Sequence, residues 1–172
     1  ENKTIISEQD RNLINRIDNK NITIIPNGIA NRFFESLPKT HEFEFVFTGN
    51  MSYPPNIEAV EYIHKNILSH YKTFRLLVAG ANPHPRLIKL AQSNNNIVLT
   101  GWVDDIRNEY VKGKIFLAPM MIGTGMQNKL LEAMALEVPC ITTTLANCAI
   151  GAKKDIEILV LAIVNYKVYL KV

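Results

Sequence analysis

Little in this chain supports redox, metal or membrane chemistry. Its 172 residues hold two cysteines, Cys140 and Cys148, with no Cys-x-x-Cys and no Cys/His spacing, which excludes a disulfide scaffold and a zinc site. Cys140 follows Pro139 in an apolar run, so buried, reduced thiols in a cytoplasmic protein are expected. The longest apolar run, Ile158 to Val164, is too short to cross a bilayer, and the polar opening residues show no signal-peptide pattern. Lys and Arg are scattered and the formal charge is only +3, so no nucleic-acid partner is expected. His41, His64, His70 and His84 are not spaced for a metal or a triad, and His84, between Pro83 and Pro85, reads as a solvated loop residue. Asp104-Asp105 lacks Asp-x-Asp spacing and stands at a helix start, which favours capping over metal binding. The segment G-T-G-M-Q-N lacks the third glycine of a dinucleotide fingerprint, and no acidic residue stands on a following strand, which disfavours a nicotinamide site.

What is present is an alternation of strands and helices. At 47% hydrophobic, the chain can bury the core of one domain with at most a short appendage. Strands are expected near 22–25, 43–47, 74–79, 97–99, 115–118, 140–143 and 157–161. Several lack polar alternation, as strands covered on both faces do. The expected fold is α/β, a Rossmann-like doubly wound parallel sheet with right-handed crossovers. Ile57, Val60, Ile63, Ile67 and Leu68 form one helical stripe, Pro85 opens a helix over 86–92, and Asp104 or Asp105 caps one over 106–111. Ser7 with Asp10 forms a capping box before a helix over 11–17.

The stretch from Gly123 to Thr143 carries the most chemistry. After the apolar strand ending at Ala118, Gly123 and Gly125 free the backbone to approach a ligand, and a helix is expected from near Met126. Its first amides lack partners and its dipole adds positive charge, which suits an anion such as a pyrophosphate. Met126, Leu130, Ala133 and Met134 form the core-facing stripe, and Lys129 and Glu132 lie off it, three apart on one face. There they can set an ammonium beside phosphate oxygens and a carboxylate beside a sugar's vicinal hydroxyls, or form an ordinary exposed pair.

The segment L-L-E-A-M-A-L-E-V-P-C-I-T-T resembles the C-terminal-domain signature of retaining glycosyltransferases of the GT-B fold, family 4, in which a Glu-x7-Glu motif ends in L-E-A-M-A-x-G-x-P-V-V. Three further segments agree in order. I-I-P-N-G-I (24–29) is similar to the family's interdomain crossing, F-V-F-T-G-N-M-S-Y-P-P-N (45–56) to its first strand and Gly loop, and I-V-L-T-G-W-V-D-D-I (97–106) to its base-binding loop. The form G-M-Q-N-K-L-L-E-A-M-A is closest to a subgroup of exopolysaccharide and lipopolysaccharide sugar transferases. Two positions depart from the pattern: Thr124 stands where the first glutamate would, and Met121 where the subgroup carries a basic residue.

The resemblance implies the donor-binding half of a GT-B enzyme that transfers a sugar from a nucleotide diphosphate donor, without cofactor or metal, to a glycan or lipid-linked acceptor. It implies Lys129 and the 123–126 backbone at the pyrophosphate, with Gly125 and Met126 at the helix start. It further implies Glu132 at the ribose, Val103 at the base, Gly123 with Thr124 at the sugar, and Gly49 with Asn50 beneath phosphates or sugar; Lys129 and Glu132 are the catalytic candidates. Trp102 would also flank the base, although a lone tryptophan is more often core, which puts Val103 ahead. Residues 1–25 are expected to be the tail of an absent N-terminal acceptor domain. Residues 26–172 would be the nucleotide-sugar-binding domain, cut at its C-terminal end, from a protein at the cytoplasmic face of the membrane. Two alternatives stay open: a nucleotide-binding module without turnover, and a nucleotide-sugar 2-epimerase, whose carboxylates and His are not found beside Gly123.

Overall fold

The computed structural model describes residues 3–14, 21–122 and 125–161. Apolar runs become strands with both faces covered: β3 (Phe43–Thr48), β4 (Leu76–Ala79) and β7 (Cys140–Thr143) are buried almost throughout. With β5 (Ile97–Gly101), β6 (Gly113–Ala118) and β8 (Leu159–Leu161) they form a parallel sheet of order β5-β4-β3-β6-β7-β8. This is the doubly wound Rossmann-like arrangement expected. The strand order reverses between β3 and β6, opening a crevice at their C-terminal ends where ligands of such sheets bind.

The helical stripe of residues 57–68 forms α2 (Pro54–Ile63), continued by one π turn (His64–Leu68) in which the Ser69 N–H reaches the His64 carbonyl at 3.0 Å. Ile57, Val60, Ile63, Ile67 and Leu68 are all buried. Helix α3 (Pro85–Gln92) begins at Pro85, and His84 is its cap, not merely a solvated loop residue: its Nδ1 accepts from the Arg86 N–H at 3.2 Å. Asp105 caps α4 (Ile106–Tyr110), accepting from the Arg107 N–H at 3.1 Å.

Several expectations need correction. The helix of the Gly123–Thr143 unit, α5 (Asn128–Ala135), begins two residues after Met126, because Gln127 is extended and acts as the cap residue. Met126 therefore leaves the helical stripe, while Leu130 and Ala133 keep it buried and Met134 is half-buried. Helix α6 (Thr144–Ile150), not foreseen, is capped by Thr143 and ended by Gly151 at φ 73°. It carries Cys148, which is exposed and not buried; Cys140 is buried. Near the start, β1 (Lys3–Ile5), also unforeseen, pairs in parallel with β2 (Ile22–Ile24) as a separate two-stranded sheet. Between them α1 (Glu8–Leu13) starts earlier than expected, directly after Ser7, whose Oγ accepts from the Asp10 N–H at 3.1 Å. The helix ends at Leu13, with Ile14 extended as its C-cap residue and not helical as expected; residues 15–17 lie outside the described residues.

Candidate functional site

The C-terminal ends of β3 and β4 come unusually close, and glycine is what permits it. A Cβ on Gly80 would stand 1.8 Å from the Gly49 carbonyl oxygen, and one on Gly49 would stand 2.7 Å from Asn56 Nδ2. Both have φ values, 142° and 150°, that side chains disfavour. The two loops form the floor of a cavity of about 530 Å³. Gly49, Asn50 and Tyr53 line one side of it, Trp102 and Val103 another, and Met126, Lys129 and Glu132 a third. Six of the expected donor residues, Gly49, Asn50, Val103, Met126, Lys129 and Glu132, thus converge. Gly125 is not in the lining; its carbonyl accepts from Gln127 Nε2 at 3.3 Å. Gly123 and Thr124 lie outside the described residues.

Lys129 and Glu132 are not an exposed pair, since both are half-buried and each is tied to a buried side chain, Asn56 and Tyr110 respectively. Lys129 Nζ donates to Asn56 Oδ1, lies 4.7 Å from the Phe47 ring centroid and 3.9 Å from Met120 Sδ. Burial pushes its pKa down to about 8, against an upward pull from the Glu132 carboxylate. Asn56, itself buried, passes the tie onward, its Nδ2 donating to the Asn50 carbonyl at 2.9 Å. Glu132 Oε2 accepts from the Tyr110 hydroxyl at 2.7 Å. No side chain caps α5, and the Leu130 N–H already donates to the Gln127 carbonyl at 2.9 Å, so the amides of Asn128 and Lys129 are those that remain for a guest at the cavity. Asn27 of the P-N-G segment reaches the same helix start, donating to Asn128 Oδ1 at 2.8 Å.

Trp102 is not a core residue: it is 70% exposed at the cavity rim beside Val103. Asp105 is occupied by Arg107, whose Nη2 lies 2.7 Å from Oδ2, and that hydrogen bond holds the carboxyl below its usual range. Among the described residues, no group of three His, Cys, Asp or Glu is placed for a metal ion, and no helix is long and apolar enough to cross a membrane. Asn56 had a readable signal, because it falls on the α2 stripe with Val60, Ile63 and Ile67, where a polar residue needs a partner. Tyr110 and Gly80 had none, since their roles depend on contacts distant in sequence.

The family described as glycosyl transferases group 1 matches residues 42–162, well over half of the chain and all of the cavity. The chain belongs to the group 1 glycosyl transferases. No curated protein matches it by sequence. Solved structures similar to this glycosyl transferase domain include TarM from S. aureus, in complex with fondaparinux, alpha-GlcNAc-glycerol and UDP (TM-score 0.66, 14% identity, covering 81% of this chain and 29% of that one). A glycosyltransferase from Rickettsia africae gives 0.63 at 20% identity, covering 82% and 44%. HepE from Anabaena, in complex with UDP and glucose, gives 0.65 at 11%, covering 88% and 46%. These likenesses are those of one GT-B Rossmann-like domain. The glycosyl transferase domain spans less than half the length of each of the three.

Proposed function

We propose that this chain is the donor-binding half of a retaining sugar transferase of family 4, from the exopolysaccharide and lipopolysaccharide subgroup. One observation carries the proposal: a half-buried ammonium, a carboxylate and an uncapped helix start meet in a cavity at the strand-order reversal. A pyrophosphate would take Lys129 and the α5 amides, which then stabilise negative charge as the sugar leaves, with no metal required. Glu132 would hold the ribose and Val103 the base, the 123–126 backbone would join Lys129 at the pyrophosphate, and Gly123 with Thr124 would meet the sugar. UDP in the TarM and HepE crystals makes uridine the first probe. Because this chain spans less than half of those proteins, we assign residues 26–172 to the donor domain and 1–25 to the tail of an acceptor domain. The glycan or lipid-linked acceptor would then reach the cleft through that second domain, at the cytoplasmic face of the membrane.

Calorimetric titration with UDP, GDP and their sugars should show saturable binding of at least one. Glu132→Ala should weaken it by about 1.5–3 kcal/mol, the loss of hydrogen bonds to a charged acceptor. Equal binding by Glu132→Ala would refute the ribose role. Labelled sugar nucleotides with lipid-linked and oligosaccharide acceptors should give transfer only with a chain extended upstream, since one domain cannot align both reactants. Robust transfer by the 172 residues alone would refute the two-domain assignment.

A further inference from the structure

Glu132 is oriented from beneath the cavity by a directed chain of hydroxyls. Tyr110, fully buried at the end of α4, meets Glu132 Oε2 at 2.7 Å, and its oxygen accepts from Thr48 Oγ1, also at 2.7 Å. A phenol has one proton to give. With Thr48 donating to it, Tyr110 has that proton for one of two acceptors, the Glu132 carboxylate at 2.7 Å or the Lys129 carbonyl at 3.2 Å, and the shorter, charged one takes it. The ring is held independently, edge-on to Phe33 at 6.4 Å and tilted on Phe116 at 5.2 Å. Burial, then the Glu132 charge, keep the phenol well above its ordinary pKa, so it stays a donor. Three segments distant in sequence, the ends of β3 and α4 and the first turns of α5, thus meet at the Tyr110 hydroxyl.

We infer that Tyr110 is a positioning residue: by holding Oε2 it fixes the Glu132 rotamer and leaves Oε1 as the oxygen offered to a ligand, with Thr48 setting the direction of the tyrosine proton. The inference rests on the donor-site proposal, because it concerns what Glu132 offers to a ribose. Without the phenol the carboxylate can turn among its staggered rotamers, and binding must then order it.

Tyr110→Phe keeps the ring and removes only the hydroxyl. The test compares UDP with its 2′,3′-dideoxy analogue by calorimetry in the parent, Tyr110→Phe and Thr48→Val, each checked for folding by thermal melting. The parent should prefer the ribonucleotide by about tenfold or more, as expected for hydrogen bonds to a carboxylate. Tyr110→Phe should cut that preference by roughly fivefold, the worth of one hydrogen bond, while dideoxy binding holds. Thr48→Val should shift the ratio in the same direction by less. A purely structural role would weaken both nucleotides alike and leave the ratio unmoved; that result in folded Tyr110→Phe overturns the inference. If Tyr110→Phe does not fold, an unchanged ratio in Thr48→Val overturns it. A parent that binds both nucleotides equally overturns the ribose role of Glu132 itself.

Discussion

Raising the pH through the range where Lys129 loses its proton probes the phosphate site without any mutation. In the free domain burial has brought this ammonium down to about 8 from 10.5. A diphosphate beside it supplies the opposite charge that burial denies, so the pKa of the complex must be higher than that of the free chain. Binding therefore takes up a proton wherever free Lys129 is partly neutral. The sign follows: affinity is full below about pH 8 and falls roughly tenfold per pH unit above it, about 1.4 kcal/mol per unit, until the complex itself titrates. Stability of the empty domain moves the other way. Between the two pKa values the unfolded chain binds more protons than the folded one, so that stability rises as the pH passes 8 towards 10.5. Opposite slopes for affinity and stability separate this lysine from general alkaline damage.

The assay is calorimetry with a UDP-sugar, whose two phosphates carry no titrating proton in this range. In buffers of different ionisation enthalpy at about pH 8, the observed enthalpies should differ by the uptake of about half a proton. Lys129→Met should abolish the uptake and weaken binding by about 1.5–3 kcal/mol. Saturable binding by the parent chain with identical enthalpies in all buffers would refute the assignment of Lys129 to the phosphates.

Other perturbations have equally definite outcomes. Glu137 closes α5 in a Schellman motif, with its N–H on the Met134 carbonyl and that of Val138 on the Ala133 carbonyl, yet it is not glycine and has φ 56°. Glu137→Gly should relieve left-handed strain, less the added freedom of the unfolded glycine, for a net gain of about 0.5–1 kcal/mol and a rise in Tm of roughly 2–3 °C in a melting scan. Gly80→Ala should cost roughly 2–3 kcal/mol by driving the β3 and β4 loops apart, and nucleotide titration should show the cavity lost. Asp105→Ala should destabilise the domain by about 1 kcal/mol through the lost cap, while EDTA leaves nucleotide affinity unchanged; a manganese-dependent gain that this substitution removes would overturn the metal-free proposal.

Strands β3, β4 and β7 could be read from the chain because both faces are covered, and such strands spell unbroken apolar runs. The same physics hid β1, where Lys3-Thr4-Ile5 is short and largely exposed. Helix α6 escaped because its cap, Thr143, also ends β7, and a threonine run favours the strand. Lys129 and Glu132 could be placed near a helix start, but their burial could not, since it comes from Asn56, Phe47 and Tyr110 closing around them. Trp102 misled for the opposite reason: a large apolar surface argues for the core unless a cavity rim holds it in solvent.

Strand β3 has β4 on one side and β6 on the other, with Phe45 beside both Leu76 and Ile115. A growing chain can complete β3, β4 and β5 before β6 exists, and with them Gly49, Asn56, Gly80 and Trp102 are in place. It then has half a cavity, without ammonium or carboxylate. On the donor-site proposal, affinity for a nucleotide arrives only when α5 settles with β6, so the ligand would not guide the early steps of folding. In the finished domain a nucleotide bound as proposed would bridge the two sides of the strand-order reversal, so that local opening of either side would be tied to its occupancy.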